Sequence, residues 1–396
     1  MKIKKIKLWP NFDSRGNETL KVGIQNEKNI FFFANVGSGK SKGKKEIESK
    51  GFNDIEKIQK FLDSLNNQKF SSLGEFENKL FELDPQKFNL GGNVFLGLSL
   101  AFARALADEF GIELWQLLKQ EYNFPFQEKK PFILVNLING GVHVENNLDI
   151  QEYLLVVDYE NEKTIKDLIE FYFLLGEELK QKFSLRILPL GDESGYALDF
   201  ANNLEPLVIL EKKAIDFFSK KNKKFYLGLD CAASTFFHHD HYFFETQKLN
   251  NQELIDIYLS FKEKVNELYF LEDPLAEDDI DGFQKIKQKG TFKIIGDDLT
   301  VTNPAITQKM IELKTIDGII IKANQIGSLR ETIETVKIAQ KNNLLVIVSH
   351  RSGETEDNFL IHLAKAINAD GLKIGVPFKE RISKFNELVV VYGSDN

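Results

Sequence analysis

The sequence is poor in several features that would restrict the protein to particular compartments or partners. Its 396 residues include a single cysteine, Cys231, which excludes an internal disulfide framework and fits a reducing compartment. It shows no secretory signal pattern and no run of about 18 apolar residues. Basic residues are outnumbered, 51 Lys and Arg against 59 Asp and Glu, for a formal net charge of -8. We therefore expect a cytoplasmic protein that neither spans a membrane nor binds nucleic acid.

Two parts of the chain differ in the spacing of their apolar residues. The first part mixes strand-like alternation with helical spacing, which is typical of an α+β layer. The strand-like segments are 3–8, 19–24 and 30–36, and the helical ones are 54–65 and 93–119. The second part alternates short apolar runs with amphipathic helical stretches, as a parallel sheet does. We predict an α+β domain over residues 1–127 and a (β/α)8 barrel domain over residues 128–396.

Polar or ionisable residues follow each apolar run of the second part. The predicted strands are 132–138, 185–190, 225–229, 268–271, 294–295, 319–321, 344–348 and 372–373. The residues at their ends include Glu193, Asp230, Glu272, Asp297, Lys322, His350 and Lys373. One charged residue after a strand often marks only the emergence of the chain into water. Several in succession, about 25 residues apart as in a βα unit, favour a shared site at the mouth of a barrel.

The types of residue at these strand ends indicate a particular chemistry. Asp230, Glu272 and Asp297 offer hard carboxylate oxygens from neighbouring strands, which suits Mg²⁺. Lys322 and Lys373 follow them, and bound cations can lower the pKa of a nearby lysine into the range of a base. Removing a proton next to a carboxylate creates a dianion that needs positive charge where it develops. The pattern therefore predicts magnesium-assisted proton abstraction by one of the two lysines.

Short motifs along the chain carry a resemblance to one family. They are residues 13–17 (DSRGN), 138–141 (INGG), 151–152 (QE), 191–195 (GDESG), 230–232 (DCA), 272–274 (EDP), 276–279 (AEDD), 296–299 (GDDL), 322–328 (KANQIGS) and 349–357 (SHRSGETED). In content and order the chain resembles the enolase family over nearly its whole length. That superfamily is the reference example of a lysine base combined with Mg²⁺. The resemblance implies an enolase-type barrel preceded by a smaller α+β domain.

The resemblance also implies a reaction and a role for each matched residue. The reaction would be the reversible dehydration of 2-phospho-D-glycerate to phosphoenolpyruvate in glycolysis and gluconeogenesis, with Lys322 as the base and Glu193 as the acid. Glu152 and His350 would complete the catalytic set. The substrate would be bound by His143, Gln151, Arg351, Ser352 and Lys373. Asp230, Glu272 and Asp297 would hold the first Mg²⁺, and Ser41 would contribute to a second, weaker site.

Some positions depart from the pattern of the family. The glycine-rich loop over residues 37–43, which we expect to be mobile, carries Lys40 and Lys42 where the family has a small residue and a threonine. Lys21 and Val390 stand where the family places an ion pair between subunits. We therefore expect a weakened or rearranged form of the family homodimer, down to a monomer.

Alternative interpretations of the sequence remain at this point. The chain could act on a different carboxylate substrate within the superfamily, although Arg351 and Ser352 argue for a phosphate. It could also be a non-catalytic enolase paralogue with a binding or structural role, which predicts the loss of acid, base or ligand residues. The histidine-rich segment 238–241 resembles a metal cluster, but we interpret it as the turn of a hairpin.

Overall fold

A computed structural model describes residues 1–40, 43–127 and 129–393 of the chain. Its first part is an antiparallel sheet covered by helices. The strands are β1 (Ile3–Phe12), β2 (Glu18–Asn26) and β3 (Phe31–Asn35), in the order β1-β2-β3. The helices are α1 (Ile55–Leu62), α2 (Leu73–Leu83), α3 (Gly91–Phe110) and α4 (Leu114–Glu121). These elements are the α+β layer that the alternating and helical segments predict.

Helix α3 is the centre of this first part, because it packs directly on β2 and β3. Most of its residues are buried, so it lacks the polar face of an ordinary surface helix. Gly97 allows the close approach to the sheet. A Cβ atom added at this position would lie 2.6 Å from Cγ2 of Val22 on β2.

In the described part of the chain, eight strands close into a barrel. They are β4 (Phe132–Asn139), β5 (Glu152–Asp158), β6 (Phe225–Asp230), β10 (Leu268–Glu272), β11 (Lys293–Gly296), β12 (Gly318–Ile321), β13 (Leu345–Ser349) and β14 (Gly371–Lys373). Between β6 and β10 the chain forms a separate three-stranded sheet of β7 (Phe237–His238), β8 (His241–Phe244) and β9 (Gln247–Leu249). The helices outside are α5 (Glu162–Phe183), α6 (Glu205–Phe218), α7 (Asn251–Lys264), α8 (Ile280–Lys289), α9 (Pro304–Glu312), α10 (Ala323–Ile326), α11 (Leu329–Lys341), α12 (Phe359–Ile367) and α13 (Ile382–Gly393). The predicted fold class is confirmed.

The start of the barrel differs from the prediction. Strand β5 runs antiparallel to both β4 and β6, whereas the other neighbouring pairs are parallel. The prediction of a strand at residues 185–190 is wrong, because this segment is irregular. Ile187 is 83% exposed there, and Pro189 has no N–H to donate to a strand ladder. The segment 152–158 supplies the barrel strand instead.

The histidine-rich segment is a turn, as predicted. His238 and His241 pair across the hairpin of β7 and β8, and the two residues between them have positive φ angles of 51° and 62°. Among the described residues, none of the helices is both long enough and apolar enough to cross a membrane.

Candidate active site

The carboxyl ends of the parallel barrel strands bring the predicted site residues to one mouth. Asp230 and Glu272 end β6 and β10 and are register partners, and Lys373 ends β14. Glu152 reaches the same place because β5 is antiparallel, so its first residue lies at the mouth opposite Asp230. Glu193 arrives from the irregular loop before α6, where Asn136 of β4 donates to its Oε2 atom at 3.1 Å.

A small cavity at this mouth is lined by every residue that the sequence proposes for catalysis or substrate binding. These nine residues are His143, Gln151, Glu152, Glu193, Lys322, His350, Arg351, Ser352 and Lys373. They come from distant parts of the chain and share no local pattern. The structure therefore brings together the complete predicted set, apart from the metal ligands that lie beside it.

Lys373 lies at the centre of the buried acidic residues. Its side chain is 2% exposed, and its Nζ atom lies 2.9 Å from Oδ2 of Asp230, 2.9 Å from both carboxylate oxygens of Glu272 and 3.0 Å from Oε2 of Glu152. Burial alone would lower the pKa of Lys373, but the surrounding carboxylates raise it well above its ordinary value. Lys373 therefore stays charged and is not suited to act as the base.

Lys322 also lines the cavity and is paired with Asp297. Its Nζ atom donates to Oδ2 of Asp297, and Nε2 of Gln325 donates to Oδ1 of the same carboxylate at 2.9 Å. Burial alone would lower the pKa of Lys322, but the charge of Asp297, together with the other contacts of the site such as the charge of Glu272, raises it. The lowered pKa expected for a base thus depends on what else Asp297 binds.

Glu152 and Glu193 form a close pair of carboxylates beside two histidines. Ligand atoms of Glu152, Glu193 and His143 lie within 4.8 Å of one another, and Nε2 of His350 lies 3.3 Å from Oε2 of Glu193. Burial and the charge of Glu193 raise the pKa of Glu152 well above its usual range. Because like charges so close cannot both ionise readily, the pair can retain a proton at neutral pH.

The two histidines are buried, and burial disfavours their charged form. Burial lowers the pKa of His143 and of His350, although the carboxylate of Glu193 opposes the shift in both. For Glu193 itself, burial would raise the pKa, but His350, His143 and Arg381 bring it well below its ordinary value. The opposite pKa shifts of the two carboxyl groups favour protonation of Glu152 over Glu193.

Arg351 and Ser352 follow β13, and Ser352 contacts the described part of the glycine-rich loop at Lys40. Oγ of Ser352 accepts a hydrogen bond from the backbone N–H of Lys40 at 2.9 Å. Nζ of Lys40 reaches the carbonyl oxygen of His143 at 3.4 Å. Ser41 and Lys42 lie outside the described residues, so the structure says nothing about the predicted second metal ligand.

The predicted metal ligands are each paired with a lysine. Lys373 binds Asp230 and Glu272, and Lys322 binds Asp297. Among the described residues, the groups whose ligand atoms lie within 4.8 Å of one another are His143, Glu152 and Glu193, and Asp273, Asp297 and Asp298, so only Asp297 of the predicted set belongs to one of them. The carboxylates of Asp230, Glu272 and Asp297 nevertheless lie at the ends of three consecutive barrel strands, β6, β10 and β11.

The chemistry of these donors fits a divalent cation. Lys373 is one positive charge shared by Glu152, Asp230 and Glu272. Burial and the charge of Asp230 raise the pKa of Glu272 well above its usual value. With all three carboxyl groups ionised, the cluster would carry more buried negative charge than its lysine offsets, and carboxylate oxygens are what Mg²⁺ prefers.

Several residues of the site have no signal in the βα pattern. Glu46 and Asn324 contact the guanidinium of Arg351, and Nη1 of Arg15 donates to Oγ of Ser352 at 3.4 Å. Arg381, which is fully buried, donates from Nη2 to the carbonyl oxygen of Ser352 at 2.7 Å. Arg15 and Asn324 stand in family motifs, whereas Glu46 and Arg381 are found only through three-dimensional contacts.

Comparison with known proteins gives a consistent result over both parts of the chain. Residues 3–118 match the family model "Enolase, N-terminal domain", and residues 128–393 match "Enolase, C-terminal TIM barrel domain". The chain is 36% identical over 416 residues to a protein named enolase from Ehrlichia ruminantium (strain Welgevonden), which covers 99% of this chain and 96% of the relative. It is 34% identical over 403 residues to an enolase from Sulfurisphaera tokodaii, with 98% and 95% covered. An enolase from Methanopyrus kandleri is 34% identical over 411 residues, again with 98% and 95% covered.

Proposed function

The chain belongs to the enolase family and is a carbon-oxygen lyase, and on this premise we propose that it interconverts 2-phospho-D-glycerate and phosphoenolpyruvate with Lys322 as base and Glu193 as acid. The observation that carries this proposal is the convergence of nine matched residues on one cavity. The alternative of a non-catalytic paralogue is not favoured, because acid, base and ligand positions all keep their chemistry.

Lys322 acts first in this mechanism. It removes the proton next to the substrate carboxylate, so it must lose its own proton beforehand. Asp297 holds the ammonium form, and we propose Asp297 also as a metal ligand. A cation held by Asp297 would weaken its attraction for Lys322 and would lower the pKa of Lys322 towards the range of a base.

The negative charge that develops on the substrate needs compensation by groups that are already in place. Lys373 provides a fixed ammonium among the carboxylates of the site. Asp230, Glu272 and Asp297 would hold Mg²⁺, with Ser41 as a contributor to a second site. When bound, Mg²⁺ supplies positive charge next to the substrate carboxylate.

Glu193 acts second, as the acid that protonates the departing hydroxyl group. Glu152 lies beside it and can hold the proton that this step needs, because their mutual repulsion favours a shared proton. His143, Gln151 and His350 would contact the substrate around this pair. Arg351 and Ser352 would bind its phosphate, for which a planar guanidinium is well suited.

A coupled assay for phosphoenolpyruvate formation tests the proposed reaction. We expect the purified chain to convert 2-phospho-D-glycerate in the presence of Mg²⁺, and the reverse reaction to proceed from phosphoenolpyruvate. Lys309→Ala, which removes an exposed lysine on α9, serves as the control variant and should retain full activity. Absence of turnover in both directions, with the chain folded and Mg²⁺ in excess, would refute the proposal.

We further propose that the family homodimer is weakened in this protein. Lys21 lies 3.7 Å from Glu356 of its own chain, and Val390 is 64% exposed. Neither residue can supply the ion pair between subunits that the family resemblance implies, although an exposed ion pair contributes little by itself. Light scattering over a dilution series should show dissociation, whereas a dimer that persists at nanomolar concentration would contradict this proposal.

A further inference from the structure

Arg351 is held by buried polar groups that the reaction scheme does not use. Its Nη2 atom donates to Oε1 and Oε2 of Glu46, both at 3.0 Å, and its Nη1 atom donates to Oδ1 of Asn324 at 2.9 Å. The side chains of Arg351 and Glu46 are only 5% and 7% exposed. A charge-assisted contact with both oxygens of a buried carboxylate restricts the plane of the guanidinium as well as its position.

Glu46 is itself held in place by its neighbours. The backbone N–H of Ile47 donates to the carbonyl oxygen of Gln325 at 2.9 Å, and the N–H of Gly43 donates to Oε1 of Glu46 at 3.3 Å. Gln325 lies in α10, the short helix that follows Lys322, and donates to Asp297, the partner of Lys322. The segment that carries Glu46 is therefore fixed to the same helix that contacts the partner of the proposed base.

Asn324 completes the arrangement from the opposite side of the guanidinium. Its Oδ1 atom accepts from Arg351, while its Nδ2 atom donates to the carbonyl oxygen of Gly37 at 2.8 Å. With both ends of the amide engaged, its orientation is determined. The guanidinium thus lies between two acceptors that are each held by separate backbone contacts.

We propose that Glu46 is a positioning residue for phosphate recognition, which acts by fixing the plane and the charge environment of Arg351. The proposal rests on the proposed function, in which Arg351 and Ser352 bind the substrate phosphate. Glu46 does not contact the substrate. Its loss weakens binding of the phosphate group and leaves the proton transfers by Lys322 and Glu193 largely intact.

The first test compares Glu46→Gln with wild type and with Glu48→Gln. Gln keeps the size of Glu46 but replaces one acceptor by a donor and removes the charge. Glu48 lies two residues away and is exposed, so Glu48→Gln is a matched control that should behave as wild type. Because small misplacements of a binding group can cost up to about 10²-fold, we expect the KM of Glu46→Gln to rise by about 10- to 100-fold with a smaller change in kcat. Inhibition by inorganic phosphate should weaken in parallel.

A double-mutant cycle separates positioning from a general effect on the fold. In an Arg351→Lys background the planar group that Glu46 orients is gone, so Glu46→Gln should add little further loss. Fully additive effects would overturn the proposal, as would unchanged KM and phosphate inhibition in a folded Glu46→Gln variant. If Glu46→Gln does not fold, Glu46→Asp retains the charge at shorter reach and should give an intermediate rise in KM, and a wild-type KM there would equally overturn it.

Calorimetric titration with inorganic phosphate distinguishes this proposal from the proposed function. An inactive wild-type chain would refute the reaction, but the titration would still compare phosphate binding in wild type and Glu46→Gln. We expect weaker binding in the variant, and equal binding in both would refute the role of Glu46.

Discussion

The two ends of the barrel interior are built by the same strands but have opposite chemistry. The interior floor is an apolar cluster of Leu134, Leu154, Val156, Phe270, Ile295, Ile320 and Ile347. The mouth carries ionisable and polar residues two positions further on, at Glu272 after Phe270, Asp297 after Ile295 and Lys322 after Ile320. Side chains two residues apart on a strand face the same way. The inward-facing side chains of each of these strands therefore change from apolar to charged over two residues.

This difference divides stability from catalysis. Burial of the floor removes apolar surface from water and stabilises the fold. The mouth buries carboxylates and lysines whose desolvation opposes folding, so these residues are retained for what they bind. Changes at the mouth should therefore impair activity, whereas changes at the floor should impair stability.

The largest effect is expected for Lys322→Ala at the mouth. Without the base no carbanion forms, and turnover should fall by about 10⁴-fold, the upper end of the usual contribution of a general base. Thermal unfolding should show that the variant remains folded. Lys309→Ala on α9 should be fully active, and a Lys322→Ala variant with near wild-type turnover would remove Lys322 from the mechanism.

A substitution in the apolar floor should have the opposite effect and lower stability while leaving turnover nearly unchanged. Phe270→Ala removes a buried ring from the apolar cluster and should lower the free energy of unfolding by about 3–5 kcal/mol, with little change in kcat below the melting temperature. Tyr269 on the same strand is 42% exposed, so Tyr269→Ala should cost far less. Denaturant unfolding and steady-state kinetics measure the two quantities, and a kcat that fell with unchanged stability would contradict the division.

The smallest effect on stability is expected from metal binding at the mouth. Mg²⁺ at 100 times its dissociation constant should stabilise the fold by about 2.7 kcal/mol, since it offsets the excess negative charge around Glu272. Chelation should reverse this rise in melting temperature and abolish turnover. Glu272→Gln should reduce the response to Mg²⁺, while an unchanged melting temperature in wild type would show that Asp230, Glu272 and Asp297 are not its ligands.

Much of the barrel could be predicted because strands buried on both faces read as short apolar runs. This holds for β10 to β14, whose exits carry the predicted residues. Strand β5 was missed because the run 185–190 has a similar composition, and local composition does not show that the sheet begins with an antiparallel strand. Glu152 was placed in the site only through its motif.

Long-range ionic partners could not be predicted from spacing. Glu46 and Arg351 are separated by 305 positions in the chain, and neither hydrophobic period nor strand order links them. The pKa of Lys322 is another example, because it depends on the contact with Asp297 rather than on burial alone. Such properties arise from distances between side chains that only the folded chain defines.

The most direct test of the account is exchange of the substrate proton next to the carboxylate with solvent deuterium, measured by NMR in Lys322→Ala and Glu193→Gln. Lys322→Ala should show neither exchange nor phosphoenolpyruvate formation, because the proton is never removed. Glu193→Gln retains the base, so exchange should persist while phosphoenolpyruvate formation falls by about 10²- to 10⁴-fold. Equal loss of exchange in both variants, with substrate and Mg²⁺ still bound, would contradict the assignment of Lys322 as base and Glu193 as acid.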